Sequence, residues 1–263
     1  MTYLRLALRL TLYPIVFVLG LAAIGISIAA MVFILVYPSL PSLEALTDYR
    51  PKIPLRVYSA DGRLIGEFGE ERRAVVKIGE MPKVMKQAIL AAEDDRFYQH
   101  PGIDAMGVMR AALANLTSIS KKQGASTITQ QVARNFFLTS ERSYTRKFYE
   151  ILLSFKIENN LSKDQILELY VNQIFLGQRA YGFAAASKIY FGKELSQLSI
   201  AEAAMLAGLP KAPSTFNPVV NPKRARIRQL YVLKRMLDLE YISEKEFAAA
   251  KEETLVVKRD LGG

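Results

Sequence analysis

The run PKVMKQAILAAEDD, Pro82 to Asp95, sets apolar residues at Met85, Ala88, Ile89 and Ala92, the three-and-four spacing of one helix face. The same texture recurs downstream in TITQQVARNFFL (127–138), YTRKFYEILLSFKIENNL (144–161), KDQILELYVNQIFL (163–176), FAAASKIYFG (183–192), SIAEAAMLAGL (199–209) and NPKRARIRQLYVLKRMLDLEY (221–241). Ser162 with Gln165 three residues on, and Ser199 with Glu202, have the spacing of capping boxes that open helices. Residues 81–250 are therefore expected to form a mostly α domain. Just upstream, LRVYSADGRLIGEFGEERRAVVKI (55–78) alternates apolar and polar positions around an Asp61-Gly62 turn. It predicts two or three short strands in a small β region over 55–80.

Further toward the N-terminus no charged residue occurs between Leu10 and Leu43. That run exceeds the ~20 apolar residues that cross a bilayer, and predicts a transmembrane helix over 12–37. A cleaved signal peptide has an apolar core of only ~7–15 residues, so an uncleaved anchor is the better reading. Arg5 and Arg9 are the only charges in the tail, residues 1–11, which places the N-terminus in the cytoplasm and the remainder outside. Pro38, Pro41, Pro51 and Pro54 mark 38–54 as a linker. An exported chain of 263 residues with no cysteine must be stable through its core rather than through disulfides. Of the net charge of +10, residues 1–50 contribute one unit, so the outer domain is basic and suits anionic partners such as lipid head groups or a phosphorylated substrate. Nucleic acid is not an expected partner outside the membrane.

The segment MGVMRAALANLTSI (106–119) admits two readings, a core helix or a segment dipping into the bilayer surface. Three constellations carry candidate chemistry. In AAEDDRFYQHPGID (91–104), Glu93 ends an apolar helix, where desolvation and the charge of Asp94 both raise a carboxyl pKa. His100 is the single histidine of the chain and has no metal-ligand spacing around it. In GASTITQQVARN (124–135), Thr127, Gln131 and Arg134 share a helix face, with Gln130 nearby, and suit a sugar or pyrophosphate. In RKFYE (146–150), Arg146 and Glu150 have pairing distance on a helix. Lys163, Glu168 and Asn172 add a polar set in KDQILELYVNQIFLG. The bland alternatives are a solvated helix end, a capped surface helix and solvated helix faces.

Taken together, these stretches resemble glycosyltransferase family 51, the peptidoglycan glycosyltransferases. EDDRFYQHPG is similar to the family's E-D-x-x-F-x-x-H-x-G motif, GASTITQQ to its second, RKFYE to its third, KDQILELYVNQIFLG to its fourth and AMLAGLPKAPSTFNP to its fifth, in the family's order. The apolar helix followed by RVYSADGRLIGEFGEERR also resembles the N-terminal part of class A penicillin-binding proteins of the 1A type. No S-x-N or K-T-G motif is present, and the one S-x-x-K match, Ser118 to Lys121, lies inside the glycosyltransferase region. Residues 251–263 are thus expected to begin the linker to a transpeptidase domain absent from this chain; a natural monofunctional enzyme is the lesser reading.

The resemblance implies a lysozyme-like, two-lobed fold and polymerisation of lipid II into β-1,4-linked glycan by inverting transfer, with release of undecaprenyl pyrophosphate. It implies Glu93 as general base. Glu150 is implied as a second carboxylate assisting pyrophosphate departure directly, through basic neighbours, or through a divalent cation such as Mg2+ or Mn2+; no organic cofactor is expected. Asp94, Phe97 and His100 correspond to the fixed residues that position the first motif. They join Thr127, Gln131, Arg134, Arg146, Lys147 and Lys163 in the implied substrate-binding set. Arg134 departs from the lysine common in the family, and Val171 from leucine. Implied partners are lipid II, the growing glycan, membrane lipids and cell-wall synthesis regulators, at a bacterial inner membrane with the catalytic domain periplasmic. Moenomycin is the implied inhibitor. A lysozyme or lytic transglycosylase is the competing enzyme class, and a non-catalytic membrane scaffold the non-enzymatic one.

Overall fold

A computed structural model describes residues 2–47, 55–68, 72–110, 126–138 and 143–258. The chain divides into two compact units, Met1–Ser42 and Leu43–Gly263. The first is the helix α1, Thr2–Val36, followed by a 3-10 turn at Tyr37–Ser39 where Pro38 stops the α-helix. Within Leu12–Ser39 an 18-residue window has a mean hydropathy of 2.7 and is not buried, so the helix is long and apolar enough to cross a membrane. The helix already runs at Thr2, so the expected tail continues it rather than preceding it.

The second unit opens with a short helix α2, Glu44–Thr47, inside the expected linker; residues 48–54 lie outside the described residues. Strands β1 (Leu55–Tyr58) and β2 (Leu64–Phe68) pair antiparallel, with the register slipping between Val57 and Tyr58. The hairpin turns at Gly62, whose φ of +81° lies in the left-handed region open to glycine, and whose N–H donates to Ser59 O at 2.9 Å. The third strand, β3 (Arg72–Arg73), leaves this hairpin and pairs in parallel with β4 (Ala180–Tyr181), a long-range pairing no local pattern announces.

The rest is helical, as expected: α3 (Lys83–Glu93), α4 (helical over residues 105–110), α5 (Ile128–Phe137), α6 (Tyr144–Asn160), α7 (Lys163–Gln173), α8 (Phe183–Phe191), α9 (Ile200–Ala207), α10 (Pro222–Asp238) and α11 (Glu244–Glu252). Both predicted capping boxes are present, Ser162 with Gln165 and Ser199 with Glu202. Two more open α5 and α11, at Thr127/Gln130 and Ser243/Glu246. Gln130 is thus spent on the cap. Helices α3, α9, α10 and α11 pack against one another, and α5, α6 and α7 form a second group. Met85, Ala88 and Ile89 of α3 are fully buried, as the opening periodicity requires. Full burial of a side chain the size of Met85 or Ile89 contributes about 1.5–3 kcal/mol.

Tight backbone approaches fix α8 against α7. Gly182, the N-cap of α8, has φ +84°, and a Cβ there would lie 2.9 Å from the carbonyls of Val171 and Asn172. Asn172 in turn ties α7 to the segment before α3: its Oδ1 accepts from Val76 N–H at 2.9 Å and its Nδ2 donates to Val76 O at 2.8 Å. Glu168 accepts from Ile78 N–H at 2.9 Å. The polar set expected to be a solvated face or a ligand surface is partly a clasp. In the described part of 106–119, Met106, Val108 and Met109 are exposed, which counts against a core helix there; residues 111–125 lie outside the described residues.

Candidate active site

A cavity of about 460 Å³ opens where the end of α3 meets the start of α5 and the side of α10. Helix α3 stops at Glu93 because Asp94 leaves helical geometry, with φ −163° and ψ 80°. The Asp94 carboxylate then does two jobs. Its Oδ2 accepts from Ile128 N–H at 3.0 Å, an orphan donor of the first turn of α5, and His100 Nε2 lies 2.9 and 3.0 Å from its two oxygens. Nε2 therefore carries the hydrogen, since a carboxylate only accepts. His100 packs edge-on against the fully buried ring of Phe97. These residues brace Glu93 from behind.

Glu93 itself faces the cavity. Its Oε2 accepts from Gln131 Nε2 at 2.9 Å, and Arg228 Nη2 lies 3.5 Å from its Oε1. Burial pushes its carboxyl above the ordinary value of 4.5; the Gln131 hydrogen bond and the cations Arg228 and Lys211 pull it back, and Asp94 adds the smallest push upward. Burial, rather than the neighbouring acid, is the main cause. Thr127 donates to Gly102 O at 2.6 Å while accepting from Gln130 N–H, so its hydroxyl is consumed in holding the start of α5.

Of the candidate residues read from sequence, Glu93, Asp94, Thr127, Gln131 and Arg134 line this cavity. Glu150 does not. It is fully buried on α6, where its Oε1 accepts from Lys147 Nζ at 2.6 Å and its Oε2 has no hydrogen-bond partner among the described residues. Lys147 also donates to Ser126 Oγ at 3.1 Å, and Ser126 is on the cavity wall, so the third constellation touches the site through that lysine. Arg146 donates its backbone N–H to Ser143 Oγ in the cap of α6. Lys163 lies away from the cavity: its ammonium donates to His100 O at 2.6 Å and to Glu158 at 2.7 Å, and sits 4.5 Å from the centre of the Phe97 ring. Its geometry supports the His100 segment rather than a ligand.

The remaining wall is built from residues that were given no site role from sequence, Lys211 of the fifth motif and Asp95 of the first among them. Lys211, Arg228, Tyr231, Arg235 and Arg110 line it, with Asp95 and Asp104. Asp95 accepts from Arg235 at 2.7 Å. Arg228, Tyr231 and Arg235 recur at three and seven residues along α10, one face of a helix read only as amphipathic; that spacing was the available signal. The side chains of Arg134 and Lys211 have no hydrogen-bonded or ion-paired partner among the described residues. Burial and the nearby Arg228 lower the Lys211 pKa, and Glu93 opposes them.

No group of three or more His, Cys, Asp or Glu that could hold a metal ion occurs among the described residues. At Glu150 one carboxylate oxygen is occupied by the Lys147 ammonium, so among the described residues a divalent cation would find there a single free carboxylate oxygen.

A family model described as Transglycosylase matches residues 61–237, more than half of the chain. Penicillin-binding protein 1A of Neisseria meningitidis (serogroup A) is 56% identical over 242 residues, which is 92% of this chain and 30% of that protein. Penicillin-binding protein 1A of Pseudomonas aeruginosa is 54% identical over 218 residues, 83% of this chain and 26% of that protein. A crystal structure of penicillin-binding protein 1A from Haemophilus influenzae aligns with a TM-score of 0.47 at 35% identity, over 80% of this chain and 22% of that one. The chain thus spans less than a third of the length of these curated relatives. The matched span takes in every cavity-lining residue from Ala91 to Arg235, and the chain belongs to the Transglycosylase family.

Proposed function

We propose that this chain is a peptidoglycan glycosyltransferase that polymerises lipid II into β-1,4-linked glycan, inverting the anomeric centre and releasing undecaprenyl pyrophosphate. The observation that carries the reading is a largely buried carboxylate, Glu93, its side chain 10% exposed, facing a cavity whose walls also hold two uncommitted cations, Arg134 and Lys211. Such a transfer needs a base for the attacking hydroxyl and positive charge where the pyrophosphate departs. Glu93 accepts the proton of the acceptor's 4-hydroxyl as that oxygen attacks the anomeric carbon, and the C–O bond to phosphate breaks on the opposite face. Arg134 and Lys211 meet the departing negative charge. Glu150 acts at one remove, by holding Lys147 at the cavity edge through a 2.6 Å contact.

In this reading α1 is a single-pass anchor in a bacterial inner membrane, with Arg5 and Arg9 keeping the N-terminus cytoplasmic and the Leu43–Gly263 unit in the periplasm. Lipid II, the growing glycan and membrane lipids are the partners, together with a C-terminal transpeptidase domain and cell-wall synthesis regulators. Incubating the chain with labelled lipid II, and separately with preformed glycan, tests it. Polymer without cleavage is the expected outcome. Cleavage without polymer would instead assign the chain to lytic chemistry, and neither product would leave a precursor-binding scaffold.

A further inference from the structure

Arg228 reaches Glu93 from 135 residues away in sequence, on a helix that carries none of the five motifs. It is 7% exposed, and its guanidinium is held mainly by rings: the carbon lies 4.5 Å from the centre of Tyr231 and 6.0 Å from that of Phe216. Cation–π contacts of this kind fix an arginine's plane without using its N–H donors. One of those donors, Nη2, points at Ala92 O at 3.3 Å and stands 3.5 Å from Glu93 Oε1.

The length of that last contact matters. A bidentate pair at 2.7–2.9 Å would occupy the carboxylate and hold it as a permanent anion, of little use as a base. At 3.5 Å the guanidinium favours the charged form by Coulombic attraction and leaves Oε1 able to accept a proton. Gln131, bonded to Oε2, fixes the other oxygen. Arg228 is also too committed to serve as a free anion site, in contrast to Arg134 and Lys211.

We propose that Arg228, held against the Tyr231 ring and more distantly by Phe216, is a positioning residue that sets the orientation and charge of Glu93, Tyr231 being the ring that borders the cavity. The proposal rests on Glu93 being the base. The other charged or titratable groups around Glu93 are Asp94 beside it, Lys211 on the cavity wall, Arg134 on α5 and Tyr170 from α7, whose hydroxyl is raised by burial first and by Glu93 next.

The test is titration of the Glu93 carboxyl in the full chain without substrate, by pH-difference infrared spectroscopy, the band being assigned by its loss in Glu93→Gln. Arg228→Gln should raise the midpoint by about one pH unit or more, the usual effect of removing an opposite charge at this distance. Arg228→Lys should restore part of the shift, and Tyr231→Leu should give a smaller rise. In lipid II polymerisation the acid limb of the rate profile should move by the same amounts, with KM for lipid II unchanged. An unmoved midpoint in Arg228→Gln and Tyr231→Leu, or a raised KM with an unmoved limb, overturns the proposal. Should Arg228→Gln fail to fold, Tyr231→Leu decides, since that ring is 41% exposed and its loss leaves the core intact. The infrared titration needs no turnover, so a wild type that titrates as expected yet makes no polymer counts against the glycosyl-transfer reading and not against the clamp.

Discussion

At Glu93 two opposing forces act on one carboxyl group. Burial raises its proton affinity, while Gln131, Arg228 and Lys211 lower it, and the balance lies above the ordinary 4.5. A base must be deprotonated to act, so activity should be present above the raised pKa and lost as pH falls through it. The acid limb of kcat/KM should therefore sit above 4.5, and a pH series on lipid II reads it directly; a limb at or below 4.5 would contradict the assignment. The acidic cluster, the histidine and their order were legible from sequence, because motif residues contiguous in the chain stay contiguous in space. What His100 does was not. Its hydrogen bond to Asp94, and that carboxylate's bond to Ile128 N–H, join segments 34 residues apart. Arg228 was illegible for the same reason: its relation to Glu93 exists only once α10 packs on α3.

Helix starts were the most readable elements, since a cap is a local bargain between a side chain and the next turn. Ser162/Gln165 and Ser199/Glu202 formed as spaced. At Thr127 the capping signal competed with a ligand-binding reading of the same residues, and the structure assigns the hydroxyl and Gln130 to the cap. Thr127→Ala should then cost about 1 kcal/mol of stability, a fall of about 2–4 °C in the thermal midpoint for a unit of this size. Thr127→Ser should retain most of it. An unchanged midpoint in the alanine variant would mean that the cap contributes nothing and that the residue serves the ligand alone. The β3–β4 pair escaped sequence reading entirely, because two residues per strand carry no period and their partners are more than a hundred residues apart.

Across the whole molecule, composition separated an apolar N-terminal helix from a basic remainder, and the chain divides near that boundary, at Ser42 and Leu43. The charge excess becomes specific only in the fold, where Arg110, Arg134, Lys211, Arg228 and Arg235 converge on one cavity against Glu93, Asp94, Asp95 and Asp104. Most of those cations are answered by acids or rings; Arg134 and Lys211 are the two left uncommitted, and in the proposed reaction they meet the departing charge. In the proposed reaction this arrangement makes Glu93 the base of a polymerising transferase. The most direct test compares the turnover of lipid II by the wild-type chain and by Glu93→Gln at saturating substrate, with lipid II binding measured in parallel. If Glu93 is that base, the variant should bind lipid II but lose on the order of 100- to 10,000-fold in kcat, the usual contribution of a general base. A variant that polymerises at close to the wild-type rate would contradict it.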